Sequence, residues 1–216
     1  MSALIGTVSP AAEDVKQLPL PPPFSSPGED GHAPQRPTEP LTILTIGHSN
    51  LEAVAFRSLL RQHEITTVVD VRSAPYSRYA PQFSRGALRG LLDEAGIRYV
   101  WAGDVLGGRP DDPACYRDGV IRRGNVDYSA MARQSWYQDG IERLLTEAAS
   151  APIVVMCSEE DPRRCHRHCL IEPSLRERSV RVQHIRGDGT LETIVAEETA
   201  EETEQSPQLT LTGFDA

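Results

Sequence analysis

Lysine is almost absent: Lys16 is the only one in 216 residues, so arginine supplies nearly all the positive charge. Arginine's planar fork suits phosphate and carboxylate, although arginine bias of this kind also follows from a GC-rich coding sequence. Aromatic residues are sparse, at 6%. No apolar run approaches the roughly 20 residues that span a bilayer, so a membrane-embedded protein is not expected. The N-terminus lacks a basic segment followed by an apolar stretch, so no secretory leader is read there. Cysteines number four, Cys115, Cys157, Cys165 and Cys169. Three of them fall within thirteen residues and no secretory signal is read before them, so a soluble cytoplasmic protein with reduced thiols is expected.

What is present is unevenly distributed. The formal net charge is −9. Residues 1 to 40 carry −3 and residues 187 to 216 carry −8, which leaves +2 for the middle segment. The acidity therefore belongs to the ends and says little about what the middle segment binds. Residues 1 to 40 also hold nine of the seventeen prolines, including Pro21-Pro22-Pro23. Proline lacks an amide donor and fixes φ, so this stretch is expected to be a disordered tail. Residues 187 to 216 read as an acidic, solvated tail, with room for one short strand at Leu191 to Val195. That leaves one compact domain, 41 to 186.

Within that domain, short β-branched runs alternate with amphipathic segments. Strands are expected at 41–46, 66–71, 98–101, 153–156 and 180–185, where Ile, Val and Thr dominate. Helices are expected at 51–62, opened by a Ser49/Glu52 capping box, at 85–95, capped by Ser84, and at 126–149. A fourth is expected after Asp161-Pro162, an N-cap followed by proline at the first helical position, and interrupted near Pro173. A long loop, 102–125, separates the third strand from the third helix. Strand–helix alternation predicts an α/β fold with a mostly parallel sheet flanked by helices.

The densest chemistry lies between Cys157 and Arg167, where a buried strand ends and a helix is expected to begin. Strand carboxyl ends are the usual ligand edge of a parallel sheet, and a helix N-terminus favours an anion or thiolate. Two cysteines, a glutamate, a histidine and arginines in eleven residues point to function. Asp70-Val71-Arg72, with Ser77 nearby, and Gly47-His48-Ser49 end two further strands. All three loops would share one sheet edge if the strands are parallel.

Taken in order, Thr45-Ile46-Gly47-His48-Ser49, Asp70-Val71-Arg72 with Pro75 and Ser77, Leu106-Gly107-Gly108, and Cys157 with Glu159 and Cys165-His166-Arg167 resemble the DUF488 family. The resemblance covers about 41 to 186 and implies a compact α/β domain with these motifs around one pocket. It supplies no reaction.

The leading expectation is an enzyme or ligand-binding protein acting on a nucleotide- or nucleic-acid-derived substrate. Cys157, Glu159, His166, Asp70 and His48 are its candidate catalytic groups, and Arg72, Ser49, Ser77 and Arg167 its candidate ligand contacts. Cys157 and Arg163 have C-x5-R spacing, but three carboxylates and no glycine inside the loop argue against a phosphatase-type anion cradle. A second expectation is a zinc or iron site at Cys157, Cys165 and His166. Adjacent helical residues, however, would point Cys165 and His166 about 100° apart. A third is an interaction protein whose C-terminal Gln208-Leu209-Thr210-Leu211-Thr212-Gly213-Phe214 docks on a partner such as the sliding clamp that holds repair proteins on DNA. No basic stripe with interleaved aromatics is visible in the domain.

Overall fold

The computed structural model describes residues 40–194. The proline-rich N-terminal stretch, most of the acidic C-terminal stretch and Gln208 to Phe214 lie outside the described residues. Six strands form one sheet in the order β3-β2-β4-β1-β5-β6. They are β1 (Thr42–Gly47), β2 (Thr67–Asp70), β3 (Arg98–Trp101), β4 (Ile153–Cys157), β5 (Arg181–Ile185) and β6 (Leu191–Glu192). The first five are parallel and β6 pairs antiparallel with β5. The sheet therefore continues past Arg186, and the strand expected at Leu191 to Val195 is a two-residue edge.

Residue alternation decides which layer each strand side chain enters. On β4, Val154 and Met156 join a core with Phe56, Leu60, Phe83 and Leu88. These come from α1 (Ala53–Gln62), a single turn at Pro81–Phe83 and α2 (Arg85–Asp93). Ile153, Val155 and Cys157 face the other way, into a core with Met131, Tyr137, Ile141, Leu170 and Leu175. Those belong to α3 (Tyr128–Ala132), α4 (Ser135–Ser150), a π-helical turn at Arg167–Ile171 and α5 (Glu172–Arg176). The result is the expected α/β fold, with helices on both faces of a largely parallel sheet. Among the described residues no helix is long and apolar enough to cross a membrane.

Several local expectations are corrected. No Ser49/Glu52 capping box forms: Glu52 is the N-cap without a side-chain bond, and Ser49 takes a left-handed φ of 43°. Its amide is spent on Ser158 O, 2.9 Å away, tying the loop after β1 to the loop after β4. Ser84 is likewise an N-cap without a capping bond, because its Oγ accepts from Ser77 N. The helix expected over 126–149 is two, divided where Gln134 becomes extended, and Asp127 caps the first by accepting from Ala130 N. The Asp161-Pro162 signal marks only a three-residue turn, Pro162–Arg164, after which Cys165 is extended. Pro173 does not break a helix. The chain stays helical from the π-helical turn into α5, and the wide turn that ends with Glu172 N–H on Arg167 O stands immediately before the proline that lacks an N–H.

Candidate active site

Three loops leave the same edge of the sheet. β1 and β4 end in register, Gly47 beside Cys157, and Asp70 of β2 stands beside Met156. The close approach of the first and third loops depends on Gly47: a Cβ there would lie 1.8 Å from Glu159 O. The expected shared edge is thus how the chain is built.

Above it opens a cavity of about 670 Å³. Cys157, Cys165 and His166 line its floor, with Arg72, Ser73, Ser158 and Glu159 beside them. Cys165 and His166 converge because Cys165 is extended (φ −126°, ψ 146°) before the π-helical turn, so the helical 100° separation does not apply. His166 Nδ1 lies 3.8 Å from Cys157 Sγ and 3.7 Å from Cys165 Sγ. Its Nε2 is 3.1 Å from Val71 O. A carbonyl only accepts, so Nε2 carries a proton and Nδ1 is the ring nitrogen that faces the two sulfurs.

The two thiols are unlike each other. Cys165 is held well below the usual thiol range, first by a hydrogen bond from Cys157 and then by His166 and Arg167. Cys157 is pushed well above it by the same hydrogen bond and by burial. Cys165 is therefore the thiolate of the pair and Cys157 its proton donor. Arg167 explains the charge. It is fully buried, with Nε 3.3 Å from Cys165 Sγ, Nη1 3.1 Å from Thr45 Oγ1, and Nη2 donating to Glu159 O. No carboxylate pairs with it among the described residues, so the sulfur is the anion it meets.

Arg72 is buried too, but conventionally. Its Nε and Nη2 donate to Asp70 Oδ1 and Oδ2 at 2.8 and 2.7 Å. Tyr99 OH donates to the same carboxylate at 2.8 Å, and Trp101 Nε1 donates to Arg72 O at 3.0 Å. Arg72 Nη1 donates to His48 Nε2 at 3.0 Å, while His48 Nδ1 faces Ser49 O. His48 is therefore neutral, its pKa lowered to about 4 mainly by burial, and its ring stacks on Phe83.

Of the expected site residues, Cys157, Glu159, Cys165, His166 and Arg72 line the cavity. Asp70, His48, Ser49, Ser77 and Arg167 do not. Asp70 and His48 orient Arg72, Arg167 sits behind Cys165, and Ser77 Oγ accepts from Ala80 N. The sequence reading missed the rim: Arg109, Arg117, Arg123 and Arg164 surround the cavity with Tyr76 and Tyr128. Arg109, Arg117 and Arg123 all come from the long loop 102–125 and Arg164 from the turn after β4, so the loop itself was in view but not its arginines as a set. A signal did exist for Arg109, which directly follows Leu106-Gly107-Gly108. Those glycines are close-packing positions: a Cβ on Gly107 would meet Ser73 Oγ at 2.3 Å, and one on Gly108 would meet the His166 ring at 2.8 Å.

The family described as domain of unknown function DUF488 matches residues 52–173. The chain belongs to the DUF488 family. The matched span carries the Asp70–Arg72, Leu106–Gly108 and Cys157–Arg167 segments, and stops short of Thr45–Ser49 and β5. No curated protein and no solved structure matches the chain. What this DUF488 domain does must therefore be argued from its cavity.

Proposed function

We propose that the protein is an enzyme acting on a nucleotide- or nucleic-acid-derived substrate, with Cys157, Cys165 and His166 at the reacting centre and the arginine rim as the phosphate-binding part. One observation carries this reading. Arg109, Arg117, Arg123 and Arg164 ring one concavity, and none of the four makes an ion pair among the described residues. Four exposed guanidinia around a hollow raise its potential and call for a ligand of several negative charges. Their forks match phosphate oxygens two at a time. Tyr76, 74% exposed, and half-buried Tyr128 offer ring faces on which a base can stack. Ser158 and Glu159 supply a hydroxyl donor and a carboxylate acceptor for a base edge or ribose hydroxyl. The volume falls within the roughly 300 to 1,000 Å³ usual for small-ligand sites.

The test is calorimetry and thermal shift of the full chain against nucleoside mono-, di- and triphosphates and short single-stranded oligonucleotides. At least one should bind, and Arg123→Ala or Arg164→Ala should weaken it about tenfold, the loss of one charge-assisted hydrogen bond. Cys165→Ser should leave binding in place and remove turnover of the ligand that binds. If no phosphate-bearing ligand binds the unaltered chain, the reading fails.

A further inference from the structure

We infer that Cys157, Cys165 and His166 form a binding site for one divalent metal ion of the zinc class, with its fourth coordination position open to the arginine-lined cavity. The two sulfurs and His166 Nδ1 all lie within 4.8 Å of one another. Zinc bonds of about 2.3 Å to sulfur and about 2.1 Å to nitrogen, set tetrahedrally, hold N and S donors about 3.6 Å apart. The observed separations are 3.8 and 3.7 Å. The donors thus stand where an ion between them needs them, with only small adjustment.

The surroundings are those of a ligand set. Val71 O takes the Nε2 proton of His166 and so fixes the tautomer that exposes the Nδ1 lone pair. A carbonyl or carboxylate behind a ligating imidazole is the usual outer-shell device. Arg167 Nε directs an N–H at Cys165 Sγ, a hydrogen bond that a metal-bound thiolate also accepts. Gly108 lets the backbone lie flat against the imidazole, where any side chain would displace it. Cys157 is delivered by the end of a central strand and the other two donors by the extended turn before α5, so rigid elements converge on one point. Three protein donors with the remaining direction facing a cavity is the layout of a catalytic rather than a structural zinc site. Soft sulfur donors favour zinc or iron over magnesium or calcium.

A second group, His168, Glu172 and His184, also brings three donor atoms within 4.8 Å of one another. Its bonds are already complete. Glu172 Oε2 takes His168 Nδ1 at 2.7 Å and His184 Nε2 at 3.1 Å, its Oε1 takes Arg176 at 2.5 Å, and His184 Nδ1 meets Thr45 Oγ1 at 2.7 Å. A guanidinium on the carboxylate is poor company for a cation, so this group is a control and not the site.

The open position matters to catalysis only if the proposed function holds; occupancy by the ion does not depend on it. The full chain is purified without a polyhistidine tag, under reducing and anaerobic conditions, and its metal content is measured by elemental mass spectrometry. About one equivalent of zinc or iron per chain is expected. It should be retained by His168→Gln and lost in Cys165→Ser and His166→Asn, both keeping the circular dichroism of the unaltered chain. Cobalt(II) loaded into the unaltered protein should give thiolate-to-metal charge transfer and the strong visible bands of a tetrahedral ion, a readout that needs no variant to fold. A chain that is metal-free and takes up no cobalt overturns the inference. So does a Cys157–Cys165 disulfide under these conditions, or metal lost in His168→Gln but kept in Cys165→Ser. Nucleotide binding by a chain that carries no metal and takes up no cobalt would sink this site and leave the pocket reading standing; bound metal without any phosphate ligand would do the reverse.

Discussion

Arg72 and Arg167 are both buried behind the cavity, 4% and 1% exposed, yet they are neutralised in opposite ways. Arg72 has Asp70, a fixed carboxylate two residues away that never leaves it. Arg167 has Cys165, a sulfur whose charge is conditional. An unpaired buried charge costs several kcal/mol, and among the groups Arg167 touches, Thr45 Oγ1, Glu159 O and Cys165 Sγ, only the sulfur can carry the balancing charge. The first arginine is scaffold and the second sets the chemistry of the site. Sequence distance does not tell them apart, since each lies two residues from its partner. The donor type does.

The largest expected effect comes from breaking the scaffold pair. Asp70→Asn leaves Arg72 buried beside a neutral amide and should cost about 3 to 5 kcal/mol in urea unfolding. Gly47→Ala should be of similar severity, because its Cβ would meet the backbone at Glu159, which no rotamer change relieves. Gly108→Ala meets a side chain instead, and should cost less stability while displacing His166. An Asp70→Asn variant as stable as the parent would show that Arg72 does not need its carboxylate, and the contrast between the two arginines would collapse.

The conditional pair is tested by coupling. Arg167→Met and Cys165→Ser should each destabilise, and the double variant should lose less than their sum by about 0.5 to 3 kcal/mol, the range for groups in direct contact. Additive losses would mean that Arg167 is held by Thr45 and Glu159 O alone.

How much of this could be read in the sequence follows the same division. The strands were legible because β-branched runs are local, and the common edge followed from strand–helix alternation. The floor was legible as a cluster because Cys157, Cys165 and His166 lie within ten residues. Their convergence was not legible, because it depends on Cys165 being extended between a three-residue turn and a π-helical turn, where a regular helix was expected. The roles of Asp70 and His48 were missed for a different reason: strand-end polar residues look alike whether they face a cavity or brace a neighbour. Tyr99 and Trp101, which complete that brace, sit on a strand with no polar pattern to mark them. The arginine rim was half hidden: three of its members share the loop 102–125, and only tertiary assembly adds Arg164 and turns them toward one cavity.

The smallest expected effect concerns His48, on the scaffold side. Burial lowers its pKa to about 4, against 6.5 in an unfolded chain. Between those values the unfolded chain takes up a proton that the folded chain refuses. Stability therefore falls as pH is lowered from 6.5 to 4, and this contribution is constant below 4. Protonation would set a cation against Arg72 Nη1, 3.0 Å away, and remove the acceptor that guanidinium uses. His48→Gln keeps an acceptor without titrating, so its urea midpoint should lose less over the same interval than the parent's. Equal slopes for both proteins would mean that His48 is not held neutral by the fold, and that the Arg72 side is as conditional as the Arg167 side.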